Sequence, residues 1–252
     1  MTLVSYEPIA YFKSSHQQAY EAPRQGVLAE NSRGEVKLEK KFNEACVEDL
    51  KGFDRVWLIY DFHENSQWRP KVRTPRFSET KKSVFSTRSP YRPNSIGMSC
   101  VKLDKVTEGV LYVSEHDLLD GTPILDIKPY LPYADSFPDV KTGWVKNEKP
   151  YDVSFTENIH GKILWLEEKT HLDFRQILKN QLSFEPTNSK AKRVKKKDDH
   201  FVFSIRTWRF EFILKEEEIT IISVYSGYSE EEMSLGEDPY GDKRIHRDFT
   251  KV

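Results

Sequence analysis

Short runs of alternating apolar and polar residues dominate the first 140 positions of the chain. Residues 3–12 (LVSYEPIAYF), 34–38 (GEVKL), 53–62 (FDRVWLIYDF), 83–87 (SVFST), 99–106 (SCVKLDKV), 109–116 (GVLYVSEH) and 122–130 (TPILDIKPY) are rich in Val, Ile, Phe and Tyr and bounded by turn residues. That pattern predicts β-strands. Only residues 43–50 read as a helix, with Asn43 at the start, Ala45, Cys46 and Leu50 on one side, and Gly52 as the stop. Many short strands with few helices predict a closed or rolled β-barrel.

Residues 138–158 read as a polar, proline-containing connection, after which the period changes. In 160–181, Ile163, Leu164, Leu166, Leu172, Phe174, Ile177 and Leu178 recur near 3.6 residues, and Asp173 suits the cap of a second helix. Residues 184–197 read as a loop, and 200–227 as two long strands around a turn at Glu216–Glu218. The expected architecture is mainly β: an N-terminal single-sheet barrel (1–146), a smaller α+β domain (147–226) and a polar tail (227–252).

Composition narrows the class. The chain has 252 residues, 37% hydrophobic and 31% charged, and no apolar run near twenty, so no membrane span is expected. The N-terminus lacks the basic region and cleavage site of a secretory signal. Two cysteines, Cys46 and Cys100, cannot build a disulfide framework or a four-ligand zinc site. Both are expected to be small buried residues, in a reducing cytoplasm.

Net charge is −1, yet the basic residues are clustered. Residues 69–92 hold eight Lys or Arg against one acid, Glu79, interleaved with Phe77, Phe85 and Tyr91 and preceded by Trp68. Residues 190–197 hold six more, a run that reads equally as solvated surface. A basic face can bind phosphate while the whole chain stays near neutral.

The eleven glycines are never closer than five residues, so neither GxGxxG nor GxxxxGK[ST] occurs and a Rossmann-type cofactor domain is not expected. The seven histidines form no HExxH, and no metal site is expected. Four polar clusters stand at strand ends: 23–26 (PRQG), 63–65 (HEN), 88–100 (RSPYRPNSIGMSC) and 117–123 (DLLDGTP). Loops on a rigid rim are where binding groups collect. Pro90 and Pro93 stiffen the chain that carries Arg88 and Arg92, and Gly97 permits a close backbone approach or a positive φ. Each cluster also reads as an ordinary turn, and the clusters alone do not specify a chemistry.

The ordered blocks PRQ (23–25), WRPKVRTPR (68–76), VFSTRSPYRPNSIGMS (84–99) and DLLDGTPILDIKPYLP (117–132) resemble the TrmO family, also called YaeB or TsaA-like. The likeness runs over residues 6–136 and more weakly to about 225. It implies a homodimeric, S-adenosylmethionine-dependent methyltransferase whose cofactor lies on a β-barrel. The acceptor it implies is N6 of N6-threonylcarbamoyladenosine (t6A) at tRNA position 37, giving m6t6A. Matching positions imply cofactor contacts from Pro23, Arg24, Gln25, His63, Glu64, Arg88, Met98, Asp117, Leu118, Leu119 and Asp120. His63-Glu64 departs from the family's frequent His-Gln.

Within that set, Asp117 and Asp120 suit an ammonium or ribose hydroxyls, and Arg24 or Arg88 suits a carboxylate through forked hydrogen bonds. Asp126 and Tyr130 have the groups to hold the acceptor amine, and pairing of Asp126 with Lys128 or an arginine is the structural alternative. Arg69 or Arg92 suits the threonyl carboxylate, Tyr91 and Trp68 suit stacked bases, and Lys195, Lys196 and Lys197 suit tRNA phosphates. The competing functions are a non-catalytic RNA- or nucleotide-binding module of the same fold, and a methyltransferase acting on a small molecule or a protein.

Overall fold

A computed structural model describes residues 4–19, 21–23, 25–28, 32–74, 80–145, 149–189 and 192–251. Arg24, Phe77, Glu79 and Lys190 lie outside the described residues. The chain divides into two compact units, residues 1–146 and 147–252.

The first unit contains β1 (Ala10–Ser14), β2 (Arg33–Leu38), β3 (Arg55–Asp61), β4 (Lys71–Val72), β5 (Lys82–Ser83), β6 (Ile96–Thr107), β7 (Val110–Ser114), β8 (Pro123–Pro129) and the one-turn helix α1 (Pro132–Asp135). Six strands close a barrel in the order β1-β2-β7-β6-β3-β8, and β8 pairs back onto β1 through Ala10↔Ile124 and Tyr11↔Pro123. Closure satisfies backbone groups that an open sheet would leave at its edges.

Alternation decides what fills the barrel. Along β3, Val56, Leu58 and Tyr60 are buried while Trp57 and Ile59 are less so, and β6 buries Gly97, Ser99, Val101 and Leu103 in turn. The register of β6 on β7 shifts between Leu103 and Lys105, which turns Val106 inward again. These side chains join Phe12, Val36, Leu111, Val113, Leu118 and Ile124 in one core. Each fully buried aliphatic contributes roughly 1.5–3 kcal/mol relative to exposure.

Three expectations for this unit change. Residues 83–87 are not a strand: β5 ends at Ser83 and Val84–Ser86 form a 3-10 turn, whose Val84 carbonyl accepts from the Thr87 and Arg92 side chains and whose Ser86 carbonyl accepts from Trp144, rather than from a neighbouring strand. Residues 43–50 form two 3-10 turns instead of an α-helix, although Asn43 does cap, accepting from the Ala45 N–H. Cys46 is exposed and Cys100 half-buried, so neither is a core residue.

The second unit contains β9 (Asp152–Phe155), α2 (Glu157–Thr170), α3 (Phe174–Leu182), β10 (Val194–Lys197), β11 (His200–Ile205), β12 (Trp208–Lys215), β13 (Glu218–Ser226), α4 (Glu230–Ser234) and α5 (Lys243–Phe249). Its sheet runs β10-β11-β12-β13-β9, with β9 parallel to β13. Asp173 caps α3 by accepting from the Gln176 N–H. The polar connection therefore supplies a strand, β9, and the basic run supplies the edge strand β10 in place of a loop. Residues 200–226 make three strands, because Arg206 in a left-handed conformation (φ 49°) turns the chain one hairpin earlier. The segment 227–252 is not a loose tail: α5 buries Lys243, His246 and Phe249, and His246 stacks on Trp208 at 3.7 Å.

Candidate functional site

Antiparallel pairing places the ends of β1, β3 and β7 beside the starts of β2, β6 and β8. The described parts of loops 15–32, 62–95 and 115–122 consequently leave the barrel at one mouth, and they carry Pro23, Gln25 and Gly26, residues 63–65, 88–95 and 117–122, while 96–100 and Pro123 belong to β6 and β8. Two glycines settle how the loops meet. A Cβ at Gly26 would lie 2.1 Å from the backbone oxygen of Glu115, so only glycine lets the PRQG loop rest on the segment leading to Asp117. Gly121 adopts φ +75°, and a Cβ there would lie 4.0 Å from Nε2 of His63, which places that ring beside the Asp-Gly turn.

At this mouth Arg88 donates from Nη1 to Oε1 of Gln25 at 3.0 Å. Asp117 accepts from the Ser99 hydroxyl at 2.5 Å, and the Tyr60 hydroxyl lies 3.2 Å from the same Ser99 oxygen. Burial pushes the Asp117 carboxyl up from its ordinary range, against the Ser99 hydrogen bond and the nearby Arg88 charge, which both favour the ionised form. Burial, then the neighbouring Asp117, push the Tyr60 hydroxyl up, so it stays a protonated donor. Tyr60 and Ser99 were missed in the sequence. Their signal was polar groups at inward positions of strands that otherwise send Val and Leu inward.

Of the other expected cofactor residues, Pro23 is buried. His63 Nε2 lies 3.5 Å from the Glu64 carboxylate. Asp120 accepts from the Ser14 N–H, which ties its turn to β1. The Leu119 carbonyl receives the Thr122 hydroxyl. Leu118 is 1% exposed within the barrel core, so its side chain cannot cover a ligand and only its backbone is available. Met98 is exposed and points to the outer wall, opposite Ile59 in register and on the other face from Ser99.

Asp126 also pairs with Ile59; its carboxylate meets Lys128 at 2.8 Å and accepts from the Ile127 N–H. The Tyr130 ring packs against Trp57 at 5.9 Å. The structure thus gathers Gln25, Arg88 and Asp117 at the mouth and sets Met98 and Asp126 on the outer wall.

The expected RNA-facing residues divide similarly. Arg69 lies over the Tyr91 ring at 5.2 Å, on an exposed surface. Arg92 instead donates to the carbonyls of Thr87 (2.8 Å) and Val84 (3.3 Å) and lies over Phe85 at 5.8 Å, bracing the turn that presents Phe85 at 75% exposure. Trp144 donates to the carbonyl of Ser86 in the same turn. Lys195, Lys196 and Lys197 are exposed on β10, and Lys197 lies 3.8 Å from Glu211. Among the described residues no group of three His, Cys, Asp or Glu could hold a metal, and no helix is long and apolar enough to cross a membrane.

The first unit is a closed antiparallel barrel, not a Rossmann sheet, with a carboxylate, a guanidinium and an amide gathered at one mouth. The chain belongs to the TrmO family: residues 11–136 match the tRNA-methyltransferase O N-terminal domain. It is 37% identical over 179 residues to the tRNA (adenine(37)-N6)-methyltransferase of Escherichia coli, covering 67% of this chain and 76% of that one. The same enzyme of Mus musculus is 44% identical over 135 residues, 52% of this chain, and the match spans only 31% of that longer protein. The crystal structure of TrmO from Pseudomonas aeruginosa aligns with a TM-score of 0.66 at 27% identity, covering 89% of this chain and 99% of that one.

Proposed function

We propose that this chain is an S-adenosylmethionine-dependent tRNA (adenine(37)-N6)-methyltransferase, and that its acceptor is the threonylcarbamoyl form of that adenosine. The observation that carries the reading is the pairing of opposite charges at the mouth. Asp117, a buried carboxylate whose direct partner is a hydroxyl, suits an ammonium, while Arg88, with one nitrogen on Gln25, keeps further donors for a carboxylate. One amino-acid group carries both charges, and the methionyl end of the cofactor is such a group.

When bound, S-adenosylmethionine supplies a methyl group on a sulfonium. The protein's task is then mainly alignment, since the leaving thioether needs no acid. His63, beside the Gly121 turn, and the backbone at Leu118 and Leu119 would be the groups to border the rest of the cofactor. Asp126, on the outer wall and paired with Lys128, and Tyr130, beyond the end of β8 away from the mouth and bonded to the Arg55 carbonyl, stand apart from the gathered charges, so the role of holding the acceptor amine is not assigned to them within one chain.

Arg69 with Tyr91, and the braced Phe85, provide cationic and aromatic surface for unstacked loop bases, at roughly 1–3 kcal/mol per base. Lys195, Lys196 and Lys197 add sequence-independent phosphate contacts. Ile96 and Met98, exposed on one face of β6, offer apolar surface to a second copy in a cytoplasmic homodimer.

The test is incubation of the purified chain with S-adenosylmethionine and tRNA that either carries or lacks the threonylcarbamoyl group, followed by nucleoside mass spectrometry. Methylation of the modified tRNA alone is expected. Cofactor binding without transfer to either tRNA would make the chain a binding module.

A further inference from the structure

We propose that Tyr60 and Ser99 are positioning residues that hold the Asp117 carboxylate, through hydrogen bonds of fixed direction, in the orientation and charge state that receives the cofactor's ammonium. The proposal rests on the reading that Asp117 meets that ammonium.

The direction of the hydrogen bonds follows from counting protons. An ionised carboxylate can only accept, so the single Ser99 proton goes to Asp117 across 2.5 Å. The Ser99 oxygen is then left as an acceptor, and the Tyr60 hydroxyl, 3.2 Å away, must be its donor. Tyr60 is 5% exposed and Ser99 7%, so neither hydroxyl can turn to bulk water without breaking the chain. In such a shielded chain each bond polarises the next.

The geometry also explains why a chain is needed. Asp117 sits where burial favours its neutral form, and a neutral acid has little to offer a cation. The charged or titratable groups facing it are Arg88, from the segment before β6, and Tyr60, from β3. His116, its neighbour in sequence, packs its ring on Phe12 and His16. Arg88 is shared with Gln25. Ser99, backed by Tyr60, is therefore the direct hydrogen-bonding side chain on the carboxylate.

The experiment is calorimetric binding of S-adenosylmethionine between pH 5 and 7.5, below the roughly 7.7–8.0 at which an α-amino group titrates. In the unaltered protein affinity should fall on the acid side as Asp117 takes up a proton. Ser99→Ala should move that fall upward by about one pH unit, the equivalent of one hydrogen bond to a charged group. Tyr60→Phe, which removes one oxygen atom, should move it a smaller distance in the same direction, and it carries the test should Ser99→Ala fail to fold. Profiles that superimpose on the unaltered protein, or drop by one constant factor at every pH, would overturn the relay. Asp117→Asn should bind weakly throughout and lose the acid-side fall. Unchanged affinity in that variant would overturn the proposal by removing the site reading beneath it.

Discussion

The ring of Tyr60 lies across Gly97, its register partner on the adjacent strand, where a Cβ would stand 2.3 Å from a ring carbon. The glycine within the RPNSIGMS block is thus needed for a close approach. Gly97→Ala is expected to push the ring off its hydrogen bond to Ser99 and to cost about 1–3 kcal/mol of stability, as overpacking does. Urea unfolding gives the stability, and cofactor titration of the same variant should show weakened affinity.

Gly26→Ala should behave differently. Its Cβ would meet the Glu115 backbone oxygen, which cannot give way as a flexible side chain can. The loop carrying Gln25 should lift and release Arg88. Because no residue of the Gly26–Leu28 turn is buried, the melting temperature should move little while cofactor affinity falls several-fold. A large drop in melting temperature with unchanged affinity would contradict this.

Arg92→Ala should weaken threonylcarbamoyl-bearing and unmodified tRNA alike, by about 1 kcal/mol or roughly fivefold, through loss of an ordered stacking surface at Phe85. The reason is that Arg92 spends donors on the Thr87 and Val84 carbonyls. Fluorescence anisotropy with the two tRNAs decides the matter; selective loss for the modified one would restore a direct contact to the substrate carboxylate.

Acid should destabilise the barrel through His116. Burial, followed by the neighbouring His16, pushes its imidazole down to about 4 from 6.5. The unfolded chain therefore takes up this proton first as pH falls. The stability His116 supports is complete above about 6.5 and drains away toward pH 4, by up to about 3 kcal/mol. Urea midpoints of His116→Gln, compared with the unaltered protein at pH 4.5 and 7, should show a flatter pH dependence.

Phe249 contacts Trp165 and Trp208 and is 6% exposed. Phe249→Ala should cost about 3–5 kcal/mol within the second unit, with a change in tryptophan fluorescence. A variant as stable as the parent would mean that α5 contributes no core.

Much of this was legible in the residues. Period-two alternation is local: successive side chains on a strand must point to opposite faces, so Val56, Leu58 and Val101 declared an interior before any partner strand was known. The ordered polar blocks likewise named the loops that meet at one mouth. Tertiary structure decided what those residues do there. Arg92 turned inward because carbonyls of a 3-10 turn lay within its reach, and Leu118 joined the core because the bend carrying Asp117 folds over the barrel end. The last helix hid because two of its three buried positions, Lys243 and His246, are polar. Its burial depends on the Glu232 and Leu235 carbonyls, the Thr207 hydroxyl and the Trp208 ring, contacts distant in the chain or made by backbone that no hydrophobic period announces.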